Sequence, residues 1–473
     1  MLTTALILVP IAAALVLWTL PWTARAAGGF ALLVALADLA GWVVAVQRFD
    51  FDAGSLQLDA HAVWLEDIGI AYRVGMFDFS LWLIGLTAVV TVAAVAYGLW
   101  AGRERARAYF GLLLFLAGAT TGVFAAQDLI LFYVFFESML IPLYVLIGVW
   151  GGAGRQGATL KFIVYTMFGS LFMLVSIIAL GLANGTFDMT RLETSDNVWI
   201  FLGFMVAFAV KAPLWPFHGW LPDAYREAPP EVAAVLSGVI SKTATYGMIR
   251  IVLPFFPALV AEWRPVVMTL AATGLVYASL LAFRAPDVRG VIAYSSLAQM
   301  CLIILGVFAV NASGLDGALL QMLVHGLVSA SLFLLAGSIE LRTGTGDFNR
   351  LGGMAHGRPR LATLLITVGV VALAVPFSAA FAGEFLILNG VFVRGWGWTV
   401  VGAVAIVLAA MYVLRLVSAV LHRETGPAVT DTALDLRPVE VALVGALVTV
   451  LLVLSFWPAG ITDRAFVTIL GAG

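Results

Sequence analysis

Long apolar runs separated by short polar connections fill nearly the whole chain. A run of about 20 apolar residues is long enough to cross a bilayer as a helix, and the pattern predicts fourteen such spans. Prolines interrupt two of them, Pro213 and Pro216 in the seventh and Pro376 in the twelfth. The predicted spans are 2–20, 27–46, 77–101, 108–125, 127–149, 158–184, 197–223, 231–256, 263–283, 288–309, 315–340, 361–393, 397–421 and 438–457.

The composition supports a membrane protein. Of 473 residues, 62% are hydrophobic and 11% are charged, whereas soluble domains have roughly 45–50% apolar and about 25% charged residues. We therefore expect an all-α polytopic protein with one membrane domain over 1–473. The longest connection, Gln47 to Met76, is acidic and is expected to be an external loop without a core of its own. No basic residue precedes the run from Ala5 to Leu20, so we expect a retained helix and not a secretory signal.

Several kinds of partner and cofactor are disfavoured. The net charge of −2 argues against binding to nucleic acid. The single cysteine, Cys301, excludes an internal disulfide and a four-cysteine iron–sulfur site. The five histidines show no spacing typical of haem or metal ligands. We expect no cofactor and no metal in this chain.

The arginines predict how the spans are oriented. Fourteen arginines lie in the odd-numbered connections, and six lie in the even-numbered connections and the C-terminal tail. Cytoplasmic loops carry the excess of basic residues. This places the odd connections in the cytoplasm and both termini on the external side.

Five titratable residues lie deep in predicted spans. A charged side chain near the middle of a bilayer is costly, so such residues usually mark an ion pathway, and broken helices are found where they line a polar cavity. Buried acids and lysines that face each other can exchange protons near neutral pH. A purely structural role would suit one such residue better than five in five helices. The five are Glu137, Lys211, Lys242, His325 and Glu384.

Other charged residues receive plainer interpretations. Asp38, Asp78 and Arg250 are expected near span ends or turns, in structural roles. Lys161 is expected one turn into its helix, with its ammonium group reaching toward water. Arg415 is more deeply buried and could form the cytoplasmic end of a relay.

Two motifs need separate comment. Residues 152–157 spell GxGxxG, but the dinucleotide-binding motif follows a strand and this one follows a predicted membrane helix, so we do not expect nucleotide binding. No GxSxG motif is present, which leaves hydrolase chemistry unsupported.

The interruption after Lys211 recurs roughly 160 residues later before Glu384, and paired broken helices of this kind indicate repeated transporter halves.

The longest polar signature, AVKAPLWPFHGWLPDAYREAPPEVAAVLSGVISKTATYGMIR, resembles that of the antiporter-like subunits of respiratory complex I. Further stretches agree with the family and occur in its order, so that the resemblance covers residues from about 77 to 420. They are FYVFFESMLIPLYVLIGVWGG, LKFIVYTMFGSLFML, YSSLAQM, MLVHGLVSASLFLLAG, LGGMA and FAGEFLIL. Glu384 in GEF resembles the M-type chain (subunit 4) of NADH:quinone oxidoreductase, because L- and N-type chains typically have lysine there.

The resemblance implies two inverted five-helix repeats, each with one broken helix. These would be 108–256 (helices 4–8) and 263–421 (helices 9–13), after helices 1–3 in 1–107 and before helix 14 at 438–457. The resemblance also implies residue roles. Glu137 would pair with Lys211, Lys242 would be the central relay group, His325 would lie beyond it, and Glu384 would end the second half-channel.

The chain departs from the family pattern at two places. Gln299 stands where the family usually has histidine, and an amide can relay a proton only passively. Phe377 and Ala380 replace two glycines around Pro376, which puts the geometry near Glu384 in question. Gln299, His218 and Arg415 are secondary candidates for the pathway.

The resemblance implies a proton-pumping subunit of a bacterial complex I in the inner membrane. Partners would be L- and N-type antiporter-like chains and lipids, and NADH, FMN, iron–sulfur clusters and quinone would be bound by other subunits. Three alternatives stay open: a subunit of an Mrp-type cation/proton antiporter, a membrane subunit of an energy-converting hydrogenase, and a structural membrane scaffold.

Overall fold

The computed structural model describes residues 1–65 and 69–464, and this part of the chain is a bundle of membrane-length helices. Twelve helices are long and apolar enough to span a bilayer, and three shorter apolar helices accompany them. Two of the shorter ones, Pro359–Ala372 and Ala379–Phe392, form one interrupted span, and Val198–Lys211 begins the other. The prediction of about fourteen spans, two of them broken, is confirmed.

The helices are numbered in chain order. They are α1 Leu2–Thr19, α2 Ala24–Arg48, α3 Asp78–Ala101, α4 Ala106–Ala125, α5 Leu129–Ser138, α6 Leu140–Trp150, α7 Arg155–Asn184, α8 Val198–Lys211, α9 Leu221–Glu227, α10 Pro230–Val235, α11 Lys242–Gly247, α12 Leu253–Phe255, α13 Pro257–Arg284, α14 Val288–Ala309, α15 Ala312–Thr343, α16 Pro359–Ala372, α17 Ala379–Phe392, α18 Trp396–Leu421, α19 Pro438–Phe456 and α20 Ala459–Thr462. Two π-helical segments, Leu236–Ile240 and Met248–Val252, join α10 to α11 and α11 to α12.

A β-hairpin corrects the all-α prediction locally. β1 (Gln57–Leu65) pairs antiparallel with β2 (Ile70–Met76), with Ala60 opposite Val74. The segment was expected to be only an acidic loop, although QLDAHAVWL has the alternation typical of a half-exposed strand. The acidic residues Glu66 and Asp67 of that expected loop lie outside the described residues.

Two equivalent β-bridges mark the two halves of the bundle. Asp128 forms a β-bridge with Asp188, and Asp287 forms one with Asp347. Each aspartate of the first bridge lies 159 residues before its counterpart in the second. Asp188 and Asp347 lie in the similar sequences GTFDMTRL (185–192) and GTGDFNRL (344–351). Five spans separate Asp128 from Asp287. Because this number is odd, the two β-bridges lie at opposite faces of the membrane. The repeats are therefore inverted.

Ion pairs join the helices at one face of the bundle, and two of their carboxylates are fully buried. The side chains of Glu231 and Glu440 are fully buried, and each carboxylate receives two hydrogen bonds from one arginine, at 2.6–2.8 Å. All partners lie at the odd-numbered connections, which agrees with the grouping of arginines in the sequence. The pairs are Arg103–Glu231, Arg226–Asp287, Arg289–Glu340 and Arg342–Glu440.

The GxGxxG motif has a structural explanation at this face. The Gly154 amide donates a hydrogen bond to the Glu227 carboxylate (2.8 Å), and the Gly152 amide donates to the Glu227 carbonyl (2.8 Å). A Cβ at Gly152 would lie 2.6 Å from a Glu227 carboxylate oxygen. The glycines allow this loop to close on the chain's own glutamate, at the end of α9.

Candidate functional site

The first part of the site lies where α8 ends at Lys211. The chain then leaves the helix until α9 begins at Leu221. In an apolar environment the freed backbone groups need partners, and the Val210 carbonyl accepts a hydrogen bond from the Trp220 indole (2.9 Å). The Leu214 amide likewise donates to the Ala209 carbonyl (2.8 Å). The break is therefore closed by local hydrogen bonds, and it leaves Lys211 at a helix end inside the bundle.

Lys211 and Glu137 face each other without forming an ion pair. Lys211 is 2% exposed, and its ammonium nitrogen has no hydrogen-bond partner within the described ranges. One carboxylate oxygen of Glu137 is likewise buried without a partner there. The two charges interact electrostatically, but the ammonium lies over the Phe136 ring, 4.6 Å from its centroid. The contact implied by the resemblance is thus open in this structure.

The second part of the site is built on the π-helical break before Lys242. A π segment spaces its backbone hydrogen bonds more widely and is often found at functional sites. Here the Ser237 carbonyl accepts a hydrogen bond from the Lys242 ammonium at 2.5 Å. The ammonium also contacts the Ser241 hydroxyl (3.3 Å) and His325 Nδ1 (2.9 Å). Lys242 is fully buried and has three polar neighbours.

The contact with Lys242 constrains His325. A protonated lysine can only donate, so Nδ1 of His325 must accept and a neutral ring carries its proton on Nε2. Nε2 is buried and has no hydrogen-bond partner among residues 1–65 and 69–464. With Lys242 protonated, the ring therefore accepts from the lysine at Nδ1 and presents an unused N–H at Nε2.

Three serines adjoin this pair and were not singled out from the sequence. The Ser237 hydroxyl contacts those of Ser296 (2.9 Å) and Ser329 (2.5 Å), which lie on α14 and α15. All three are buried. Serine is common in membrane helices and carries no charge, so only the fold brings these hydroxyl groups together beside Lys242.

The third part of the site is a chain of side-chain amides that ends at Glu384. Gln321 donates a hydrogen bond to the carbonyl oxygen of Gln299 (2.7 Å), and the Gln299 amide nitrogen donates to Glu384 (3.0 Å). Both contacts use a defined orientation of the Gln299 amide. Gln321, one helical turn before His325 on α15, was missed by the sequence reasoning because an uncharged amide does not stand out in a span.

A cavity of about 40 Å³ lies beside His325, Gln321 and Gln299. A polar cavity needs only about 10–15 Å³ to hold a water molecule, so this one has room for a few. Its lining includes the polar residues His325, Gln321, Gln299 and Tyr412 and the small residues Ala372 and Ala380. Ala380 is one of the two departures from the family's glycines, and its methyl group narrows this space.

The other departure lies in the break between α16 and α17. Phe377 is 94% exposed and has φ 75°. A left-handed conformation is unfavourable for a bulky residue and natural for glycine. The replacement of glycine therefore places backbone strain in the break, although Pro376 still separates the two helices.

The secondary candidates are placed differently. Gln299 lies in the site, whereas His218 lies within the first break and its ring packs against Tyr277 (centroids 5.2 Å apart). Arg415 donates to the Ala285 carbonyl at the end of α13 (2.8 Å) and lies over the Phe348 ring (5.1 Å). These contacts anchor Arg415 at a helix end.

Positions near span ends, in structural roles, were expected for Asp38, Asp78 and Arg250, and a position one turn into its helix for Lys161. The structure agrees with part of these expectations. Arg250 is buried and donates to the Gln127 side chain (2.7 Å), and Lys161 pairs with Asp223 (2.8 Å) while staying half-exposed. Asp78 begins α3, near a span end as expected. Asp38 was placed near a span end, but it is buried in the interior of α2, so that expectation is wrong.

The described residues contain no cluster of three or more histidine, cysteine, aspartate or glutamate side chains that could hold a metal ion. The arrangement instead joins Lys242 to His325, and Gln321 through Gln299 to Glu384, by hydrogen bonds inside the bundle. Such groups can accept and donate protons in turn when short hydrogen bonds or waters connect them.

Comparison with known proteins identifies the class. A model of the family "NADH:quinone oxidoreductase/Mrp antiporter, TM" matches residues 126–409. NADH-quinone oxidoreductase subunit M of Rickettsia prowazekii (strain Madrid E) is 34% identical over 427 residues, which cover 88% of this chain and 86% of that one. The chain belongs to the NADH:quinone oxidoreductase/Mrp antiporter family.

Solved structures place the chain within this family more closely. A chain of respiratory complex I from Thermus thermophilus with bound NADH aligns with a TM-score of 0.90 and 28% identity over 99% of both chains. A chain of the Mrp complex from Dietzia sp. DQ12-45-1b aligns with a TM-score of 0.89, but at 23% identity over 99% of this chain and 97% of that one, which shows only a shared fold. The prediction of an M-type antiporter-like chain is confirmed.

Proposed function

We propose that protons cross the membrane through this chain by way of two linked half-channels. The first contains Glu137 and Lys211, Lys242 is the junction, and the second runs from His325 to Glu384. The direct contact between Lys242 and His325 (2.9 Å) carries this proposal, because it joins a buried lysine to the group that faces the cavity. Gln299 orients Glu384, and water in the cavity moves the proton.

The chain serves as a subunit of NADH:quinone oxidoreductase, in which electron transfer from NADH to quinone in other subunits drives the pump. Its curated relatives are M subunits of that enzyme. FMN, iron–sulfur clusters and quinone belong to partner subunits in this proposal, and the chain packs beside L- and N-type antiporter-like chains and lipids. The half-channels correspond to residues 108–256 and 263–421.

The location we propose is the bacterial inner membrane, with both termini on the external side. The arginines at the odd-numbered connections support this orientation. An Mrp-type cation/proton antiporter is the second candidate, favoured by the shared family and fold. Purification with redox subunits would exclude that alternative.

The test is Glu137→Gln in the whole complex reconstituted in vesicles. Glutamine keeps the shape of Glu137 but cannot hold a proton, so NADH-driven proton uptake should fall by at least about tenfold. The exposed Glu104→Gln is the matched control and should pump normally. Unchanged pumping by the Glu137 variant would overturn the assignment of the first half-channel.

A further inference from the structure

The contact between Lys211 and Phe136 cannot itself carry a proton, because a phenylalanine ring has no titratable group. The Lys211 ammonium lies 4.6 Å from the centroid of the Phe136 ring, within the range of about 6 Å for a cation–π interaction. Both side chains are 2% exposed. An ammonium group buried without a hydrogen-bond acceptor is costly, so the negative face of the ring stabilises it here, beside the electrostatic interaction with Glu137.

The Phe136 ring is held in place by other aromatic side chains. It stacks on Phe132 (centroids 5.7 Å apart, planes at 28°) and meets Phe208 edge-on (6.2 Å, 71°). Phe132 is on the same helix as Phe136, and Phe208 is on the helix of Lys211. The ring is thus fixed against both helices, and its position does not depend on the ammonium group.

Phe136 directly precedes Glu137 on α5. Successive residues of a helix point about 100° apart, so α5 offers Lys211 two different partners, an aromatic face and a carboxylate. Glu137 and Lys211 are near enough to interact electrostatically, yet the ammonium lies over the ring. The flexible four-carbon stem of lysine can reach different positions from a fixed backbone.

We propose that Phe136 is a positioning residue that holds the Lys211 ammonium when it is released from Glu137. Lys211 then has two resting places, the carboxylate and the ring. The ring keeps the separated state populated, so that Glu137 is free to exchange its proton. This proposal rests on the proposed function, because it gives the open pair a part in proton transfer.

The experiment replaces Phe136 with mono-, di- and trifluorophenylalanine in the whole complex. Each fluorine withdraws electron density from the ring face and leaves the ring shape nearly unchanged. Proton uptake per NADH oxidised should decline steadily along the series. For the trifluoro variant the decline should be between about twofold and about thirtyfold. If Phe136 served only for packing, proton uptake per NADH oxidised would stay the same along the series.

The matched control is the same series at Phe204. Phe204 is fully buried on α8 and stacks on Phe208 (6.2 Å, 25°), like Phe136 a neighbour of that ring. Its series should be flat. A flat or rising series at Phe136, or an equal decline at both positions, would overturn the proposal.

Lys211→Ala separates this proposal from the proposed function. If Lys211→Ala stops pumping and the Phe136 series is flat, the proton path stands and the role of Phe136 is wrong. If Lys211→Ala pumps normally, the proposed function itself fails, and the role of Phe136 with it.

Discussion

Lys211 and Lys242 are buried lysines at helix breaks in the same half of the bundle, but their surroundings are opposite. Lys242 contacts a carbonyl, a hydroxyl and an imidazole at 2.5–3.3 Å. Lys211 has an aromatic face and no hydrogen-bond acceptor in the described part of the chain. The difference indicates a fixed junction at Lys242 and a movable group at Lys211.

The two sides of Lys242 differ in the same way. Toward Glu384, polar contacts and a small cavity follow His325 with little interruption. Toward Glu137, the Lys211 ammonium lies over the Phe136 ring, and that ring packs against Phe208. We infer that the first half-channel is gated by movement of a side chain, whereas the second is a standing path.

The largest expected effect is at the end of the standing path. Glu384→Gln preserves an oxygen acceptor for the Gln299 amide but cannot take up a proton. Proton uptake by the reconstituted complex should fall by at least about tenfold per NADH oxidised. The exposed Glu262→Gln should pump normally, and normal pumping by the Glu384 variant would show that the path ends elsewhere.

The cavity lined by His325 and Gln299 offers a smaller, steric test. Ala380→Leu would fill the space of about 40 Å³ and should slow proton uptake several-fold, whereas Ala380→Gly should preserve or raise the rate. Ala382→Leu, on the same helix but not lining the cavity, is the control. A full rate in the Ala380→Leu complex would mean that water in this cavity is not needed.

Replacing each lysine by methionine should separate the two environments by stability. Lys242→Met leaves His325 Nδ1 without a donor, at a cost of about 1–3 kcal/mol, whereas the Ser237 carbonyl keeps its hydrogen bond from the Ser241 hydroxyl. Lys211→Met removes an ammonium without hydrogen bonds and should change stability by no more than about 1 kcal/mol. Thermal unfolding of the purified complex measures both, and equal losses would contradict the difference drawn between them.

The smallest expected effect concerns the second break. Phe377→Gly should relieve the left-handed conformation at φ 75° and stabilise the chain by up to about 1 kcal/mol. Val375→Gly, in the same break, has no positive φ to relieve and serves as the comparison. The same thermal assay applies, and a loss of stability in Phe377→Gly would mean that the exposed ring has a contact in the assembly.

Hydropathy was enough to predict the spans, because fourteen apolar runs and two proline breaks are properties of the sequence itself. Charge in an apolar setting made Glu137, Lys211, Lys242, His325 and Glu384 visible in the same way. These five remain predicted site residues. The structure brings Lys242 against His325 and Gln299 against Glu384.

Residues that are polar but uncharged could not be found by this reasoning. Gln321 and the serines beside Lys242 acquire meaning only when α14 and α15 pack against the π-helical break. The ring of Phe136 was hidden for a related reason, since one phenylalanine in an apolar run carries no signal. The β-hairpin was missed although its alternation was present, because the acidic composition of the segment suggested a loop.

Proton transfer through Lys242 is the central claim, and the proton-to-electron ratio of the reconstituted complex tests it most directly. The matched pair is Lys242→Ala and Lys161→Ala, the second being the half-exposed lysine that pairs with Asp223. We predict that the Lys242 variant loses NADH-driven proton uptake, while the Lys161 variant keeps the wild-type ratio. A wild-type ratio in the Lys242→Ala complex would contradict the account.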